Sequence, residues 1–236
     1  MNKQMQGKTL PLTSSTIEFF PQWVTTSTGQ PIELFQNLHN HSTAPYLFVG
    51  GVHGDEPEGV RLAWDFLQWL KSHSSPKDHP WILIPCFNPD GYQFHQRTNG
   101  NGVDLNRNFP AIDWAPSTKK DRYYSGPMAG SELEVQALVK LIESQKPKAI
   151  VHFHSWKPCV VYTGATGKAL AEKLTLGNNY ECHEDIGYPT PGSLGQYGWL
   201  NHQIPVICIE EQEQSDLDLV WPRFQQGLTS LIKDSK

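Results

Sequence analysis

The sequence predicts an α/β fold, a largely parallel or mixed sheet with helices on both faces. Two observations carry that expectation. Short apolar runs alternate with amphipathic stretches at helical spacing through most of the 236 residues, the pattern of strands joined by helices. The runs are apolar at consecutive positions, as expected of strands covered on both faces. No internal repeat, low-complexity linker or shift of composition divides the chain. One domain over residues 1–236 is expected, long enough to bury a sizeable core.

The elements are read in order. Tyr46–Val52 is a strand, and Glu58–Ser72 a helix with Val60, Ala63, Trp64, Leu67 and Leu70 at helical spacing. Trp81–Phe87 is a second strand. Asn88 to Gly130, rich in Asn, Gly, Pro and aromatic residues, holds no clear regular element; a loop of that length in a compact domain is usually functional. Ser131–Ser144 reads as a helix, with Ser131 as N-cap and Glu134 completing a capping box. Lys148–Phe153 and Cys159–Thr163 are strands, Gly167–Leu176 a helix, Ile204–Ile209 a buried strand and Leu217–Ile232 a closing helix. Trp64, Trp69 and Trp81 are read as packing residues, Glu132 and Glu134 as capping residues, and Glu181, Glu184 and Asp185 as a solvated face.

Composition excludes some partners. With 19 basic against 24 acidic side chains, a net charge of −5 and no Lys/Arg block, neither nucleic acid nor an anionic membrane surface is an expected partner. Met1 to Leu12 lacks the apolar core of a signal peptide, and no apolar run approaches the length of a membrane-spanning helix. Cys86, Cys159, Cys182 and Cys208 show no paired spacing. Cys86 and Cys208 lie in apolar runs and read as small buried hydrophobes. The expected setting is reduced and cytoplasmic. Nothing in the sequence reads on whether the chain forms a homo-oligomer.

Open α/β sheets bind ligands at the carboxyl ends of their strands, and four polar islands fall at such ends. The first follows Gly50-Gly51 and sets His53 and Glu56 three residues apart. Glycine permits a sharp turn there, which leaves both side chains on one loop, and imidazole nitrogen with carboxylate oxygen is a donor set for zinc. The second contains Asn88-Pro89-Asp90-Gly91 and runs on from Arg97 to Pro110. The third is His152-Phe153-His154-Ser155-Trp156, and the fourth is Glu210-Glu211-Gln212-Glu213. His152 and His154 share a face of an extended segment. His154 lies nearer the loop end and is the chosen third ligand, leaving His152 as a packed or supporting histidine. Strand parity alone does not decide between Glu210 and Glu211 as the residue that points inward, though Glu210 is held more rigidly by its strand. The other histidines (His39, His41, His73, His79, His95, His183 and His202) show no second ligand spacing.

In this order the islands resemble the zinc carboxypeptidase (funnelin) family. The matching pieces are His53-x-x-Glu56, Asn88-Pro-Asp-Gly91, Gly102-Val-Asp-Leu-Asn106-Arg107-Asn-Phe, His154-Ser-aromatic and Pro205-Val-Ile-Cys-Ile-Glu210. The resemblance spans about residues 46 to 212 and implies a mixed, mostly parallel eight-stranded sheet. It implies one Zn²⁺ per chain on His53, Glu56 and His154, Glu210 as general base and proton shuttle, and Arg97 as stabiliser of the oxyanion. Asn106 and Arg107 would hold a substrate's terminal carboxylate. Tyr188 sits near the family's mobile tyrosine, in a region that aligns only with a gap.

The implied activity is hydrolysis of an amide bond next to a carboxylate-bearing residue in a short peptide. Two stretches, Arg97-x-Asn-x-Asn-Gly-Val-Asp-Leu-Asn-Arg-Asn-Phe-Pro and Gly187-Tyr188-x-Thr190-Pro191-Gly192-Ser193-x-Gly195, resemble the family's small bacterial members. They narrow the expectation to the γ-D-glutamyl–meso-diaminopimelate bond of murein tripeptide, in peptidoglycan recycling. Competing readings are a broader carboxypeptidase, a desuccinylase- or aspartoacylase-like deacylase, and a wall-peptide sensor that binds without cleaving. Leu194 follows Ser193 at a position that helps set side-chain preference in the family, and no polar partners for diaminopimelate can be named from the sequence.

Overall fold

The computed structural model of the protein describes residues 8–10, 17–38, 43–117 and 121–233. Most of the stretch from Met1 to Leu12, and His39 and His41, lie outside the described residues. The strands are β1 (Lys8–Leu10), β2 (Ile17–Thr25), β3 (Pro31–Asn37), β4 (Tyr46–Gly50), β5 (Trp81–Ile84), β6 (Ala149–Trp156), β7 (Cys159–Thr163), β8 (Glu181–His183) and β9 (Val206–Gln212). The helices are α1 (Pro57–His73), α2 (Pro89–Phe94), α3 (Leu133–Gln145), α4 (Lys168–Leu174), the single turn α5 (Leu194–Gln196) running on into a π-helical stretch Tyr197–Asn201, and α6 (Leu217–Lys233).

All the strands join one sheet in the order β1-β2-β3-β5-β4-β6-β9-β7-β8. The eight-stranded mixed sheet is β2 to β9, and the three-residue β1 adds a ninth strand at its outer edge. The centre, β5-β4-β6-β9, is parallel, and β8 runs parallel to β7. β3 joins β5, and β7 joins β9, in antiparallel fashion.

Residues alternate between two cores. On one face Phe48, Val151, Phe153, Ile207 and Ile209 pack against Leu62, Phe66 and Leu70 of α1 and Phe224 and Leu228 of α6. On the other, Leu47, Val49, Ile150 and Val206 pack against Val135, Leu138 and Ile142 of α3, with Leu194 and Tyr197 beside them. Fully burying such a side chain stabilises by about 1.5–3 kcal/mol. Strands apolar at successive positions are therefore what a two-sided core requires.

Several elements differ from the sequence reading. The hairpin β2–β3 went unread because its periodicity is interrupted: Pro21 lies inside β2, and the pairing register shifts between Phe20 and Val24, as edge strands tolerate. The stretch 88–130 is not without regular structure. Asn88 caps α2 by accepting the Gly91 N–H at 2.9 Å, and Pro89 takes the first helical position, where its missing N–H costs nothing. A 3₁₀ turn spans Leu105–Arg107. The capping box of α3 does not form. Glu132 occupies the N-cap position without a side-chain cap bond, and its own N–H donates to Asn108 Oδ1 at 3.1 Å.

Candidate metal centre

His53 and Glu56 sit on the loop between β4 and α1. Gly51 takes φ +62° there, in the left-handed region. At Gly54 a Cβ would stand 1.9 Å from the Gly91 carbonyl carbon, so only glycine lets this loop lie against α2. Glu56 directly precedes Pro57 at the start of α1, which fixes its backbone. His154 and Glu210 lie near the carboxyl ends of the adjacent parallel strands β6 and β9, paired in register.

These elements bring three donor atoms together. His53 Nδ1 is 2.7 Å from Glu56 Oε1, His154 Nδ1 is 2.7 Å from Glu56 Oε2, and the two Nδ1 atoms are 3.0 Å apart. All three residues are buried. The far ring nitrogens are occupied: His53 Nε2 lies 3.1 Å from Asp104 Oδ1, and His154 Nε2 lies 2.8 Å from His152 Nδ1. With the ring protons engaged there, the Nδ1 lone pairs are left to converge with the carboxylate. Two imidazoles and one carboxylate fit a catalytic zinc, which takes three protein ligands and keeps one position open. Among the described residues, the other group with metal-ligand spacing is His152, His154 and Cys208, which shares His154.

Burial alone would push the Glu56 carboxyl up, but His53 and His154 hold it well below the usual carboxylate range. Burial likewise opposes ionisation of Asp104, and His53, Arg97 and Arg107 overcome it, so this carboxyl too is held down. Burial disfavours a charged His53, yet Glu56 and Asp104 leave its pKa above the ordinary value. Glu210 goes the other way: burial pushes its carboxyl up, with Glu56 adding to the effect and His154 opposing it. A carboxylate so placed is readier to accept a proton.

The remaining residues singled out from the sequence converge on the same cavity, which is lined by His53, Glu56, His154, Glu210, Arg97, Asn106, Arg107 and Tyr188. Arg97 donates from Nε to Asp104 Oδ2 at 2.8 Å and approaches Glu56 Oε1 at 3.5 Å. Asn106 Oδ1 accepts the Leu194 N–H at 2.9 Å, tying its loop to α5. Arg107 donates to its neighbour's carbonyl, Asn106 O, at 2.7 Å. The guanidinium groups of Arg97 and Arg107 lie over the Tyr123 ring, their central carbons 5.0 and 5.8 Å from its centroid. Tyr188 is 45% exposed at the cavity mouth and meets Trp156 edge-on, centroids 6.0 Å apart.

Strand parity separates the two glutamates. Glu210 shares the face of His152 and His154, whereas Glu211 points to the opposite side, hydrogen-bonded by Tyr180 and paired with Arg223 at 2.9 Å.

Sequence reasoning missed Asp104, although it lies inside the quoted motif. The signal was available: a metal-bound histidine usually donates its second N–H to a carboxylate or carbonyl. It also misread Glu132 and Glu134, which reach across to Asn99. The Asn99 amide donates to them at 2.8 and 3.2 Å, and Asn101 donates to Glu132 at 2.8 Å, so α3 holds the loop that carries Arg97. Cys208 is not an inert hydrophobe: it lines the cavity, and its thiol donates to Glu210 Oε1 at 3.1 Å. Glu184 and Asp185, read as a solvated face, are exposed and also line the cavity mouth.

Residues 14–203 match the model of the zinc carboxypeptidase family. Murein peptide amidase A of Escherichia coli K12 is 36% identical over 162 residues, a match that spans 64% of this chain and 64% of that relative. The chain thus matches slightly less than two thirds of that relative's length. Murein peptide amidase A of Vibrio campbellii is 34% identical over 194 residues, 77% of this chain and 75% of that protein. Among solved structures, murein-tripeptide amidase MpaA from Escherichia coli O157 superposes with a TM-score of 0.72 at 26% identity, covering 94% of this chain and 96% of that one. Carboxypeptidase A from Helicoverpa armigera gives 0.76 at 16% identity, covering 91% and 68%, a likeness of fold alone. With the family's match running over most of its length and the same sheet beneath it, the chain belongs to the zinc carboxypeptidase family.

Proposed function

We propose that this protein is a zinc-dependent amidase that cleaves the γ-D-glutamyl–meso-diaminopimelate bond of murein tripeptide. The observation that carries the reading is the convergence of His53, Glu56 and His154 with Glu210, Arg97 and Arg107 on one cavity. The two murein peptide amidases it resembles supply the substrate class. Residues 1–236 would form one catalytic domain, with a cytoplasmic place in the recycling of wall peptides.

His53, Glu56 and His154 would hold one zinc ion. When bound, zinc lowers the pKa of a coordinated water to about 7 and polarises the scissile carbonyl. Glu210, within the same enclosure and with its carboxyl raised by burial, takes the proton from the attacking water and passes it to the leaving amine. Such proton transfer contributes about 10²–10⁴-fold. Arg97, steadied by Asp104, offsets charge developing on the carbonyl oxygen. Arg107 offers its planar fork to the substrate's terminal carboxylate, with Asn106 beside it. Tyr188, at the exposed mouth, closes over the bound peptide.

Incubation of the zinc-loaded protein with murein tripeptide, followed by assay of free diaminopimelate, tests the proposal. Release that a chelator abolishes is the expected result. Intact tripeptide alongside turnover of ordinary dipeptides or N-acyl amino acids would overturn the substrate assignment.

A further inference from the structure

We propose that His152 is a positioning residue for the metal centre: its Nδ1 accepts the Nε2–H of His154 and so fixes the tautomer in which His154 Nδ1 faces His53 and Glu56. The inference rests on the reading of His53, Glu56 and His154 as ligands. The two nitrogens are 2.8 Å apart, the ring planes stand at 89°, and both side chains are buried. A neutral imidazole carries one proton. If His154 turns the Nδ1 lone pair toward an ion, its proton sits on Nε2, and the acceptor at hydrogen-bond distance is His152 Nδ1. The choice then propagates, because His152 must carry its own proton on Nε2.

The two histidine ligands thus have unlike supports, a carboxylate (Asp104) behind His53 and a neutral ring behind His154. Strand geometry supplies the means: residues two apart on β6 share a face, so His152 stands directly behind His154.

One ring nitrogen each of His152 and His154 and the Cys208 Sγ lie within 4.8 Å of one another, close enough to suggest a second ion. Protons argue against it. The Cys208 thiol donates to Glu210, and a second ion would have to displace that proton and the one on His154 Nε2.

The test uses the full chain and reads metal binding rather than turnover. Zinc affinity is measured by chelator competition, and the ligand field from the visible bands of the cobalt(II)-substituted protein, for the parent, His152→Leu and His152→Asn. Asn places an acceptor oxygen near the position of the imidazole Nδ1, and Leu does not. We expect His152→Leu to weaken zinc binding about 10–100-fold and to shift the cobalt bands, and His152→Asn to restore most of both. If His152→Leu does not fold, His152→Ala with added imidazole replaces it, with recovery of affinity as the supporting result. Unchanged affinity and bands in His152→Leu, an Asn variant as weak as Leu, no rescue by imidazole, or two zinc ions per parent chain would each overturn the proposal. A parent that binds no zinc would instead sink the ligand set, and a zinc-loaded parent that leaves tripeptide intact would sink the substrate reading alone.

Discussion

His154 and Glu210 stand opposite one another on the adjacent parallel strands β6 and β9, one pair in a continuous register that runs from Ile150↔Val206 to Trp156↔Gln212. A proposed ligand and the proposed base are therefore spaced by the sheet's own repeat, not by a loop. Removing the base leaves that spacing intact. Glu210→Ala is expected to lower kcat/KM for tripeptide by about 10²–10⁴-fold while zinc content, measured by atomic emission, stays at one per chain.

Asp104 serves two partners, His53 through Oδ1 and Arg97 through Oδ2. Asp104→Asn keeps the shape but gives up the charge. We expect zinc affinity to fall about 10–100-fold, and kcat to fall further than metal loss explains, because Arg97 loses its anchor. Activity at saturating zinc, compared with affinity by chelator competition, separates the two effects.

Arg107 offers a fork that lysine cannot copy. Arg107→Lys is expected to raise KM for a substrate with a free terminal carboxylate by about 10-fold or more, since a hydrogen bond to a charged group contributes about 1.5–3 kcal/mol. The same variant should show little change on the carboxamide form of the substrate. Equal losses on both forms would remove Arg107 from this role.

Gly54 faces the backbone of Gly91 and Tyr92, with a built Cβ 1.9 Å from one carbon and 2.1 Å from a nitrogen. Backbone cannot swing aside as a side chain can. Gly54→Ala should cost about 1–3 kcal/mol in denaturant unfolding and weaken zinc binding as well, because His53 and Glu56 flank the displaced residue.

Glu134 is buried in α3, and burial raises its pKa, with Glu132 and Asp90 adding to the effect and the Asn99 hydrogen bond opposing it. The sign follows from linkage. The folded state holds this proton more tightly than the unfolded chain, so stability falls as pH rises above about 4.5. Glu134→Gln removes that cost while keeping an acceptor for Asn99. The variant should be more stable than the parent at pH 7, with the gap closing at pH 4, as measured by urea midpoints.

The central strands were legible because burial on both faces writes itself as a continuous apolar run. The metal pair was legible because a Gly-Gly turn, a histidine and a glutamate sit within seven residues. Cys159–Thr163 was read to the residue. Other features depend on distant residues. Nothing near Glu132 in sequence announces that it receives amides from Asn99 and Asn101, thirty-three and thirty-one positions away. A local capping pattern was the nearer explanation, and tertiary contacts replaced it. The edge hairpin was hidden by Pro21 and a register shift, which protect an exposed strand and also erase its alternation.

Glu210 and Glu211 are neighbours in sequence, yet they serve opposite sides of the sheet. One faces the cavity, and the other locks Tyr180 and Arg223 to the far side. A slip of β9 by one residue would exchange them. The register that turns Glu210 to the cavity is the one that turns Ile207 and Ile209 into the core beside α1 and α6, so catalytic alignment and core packing are met by the same strand pairing.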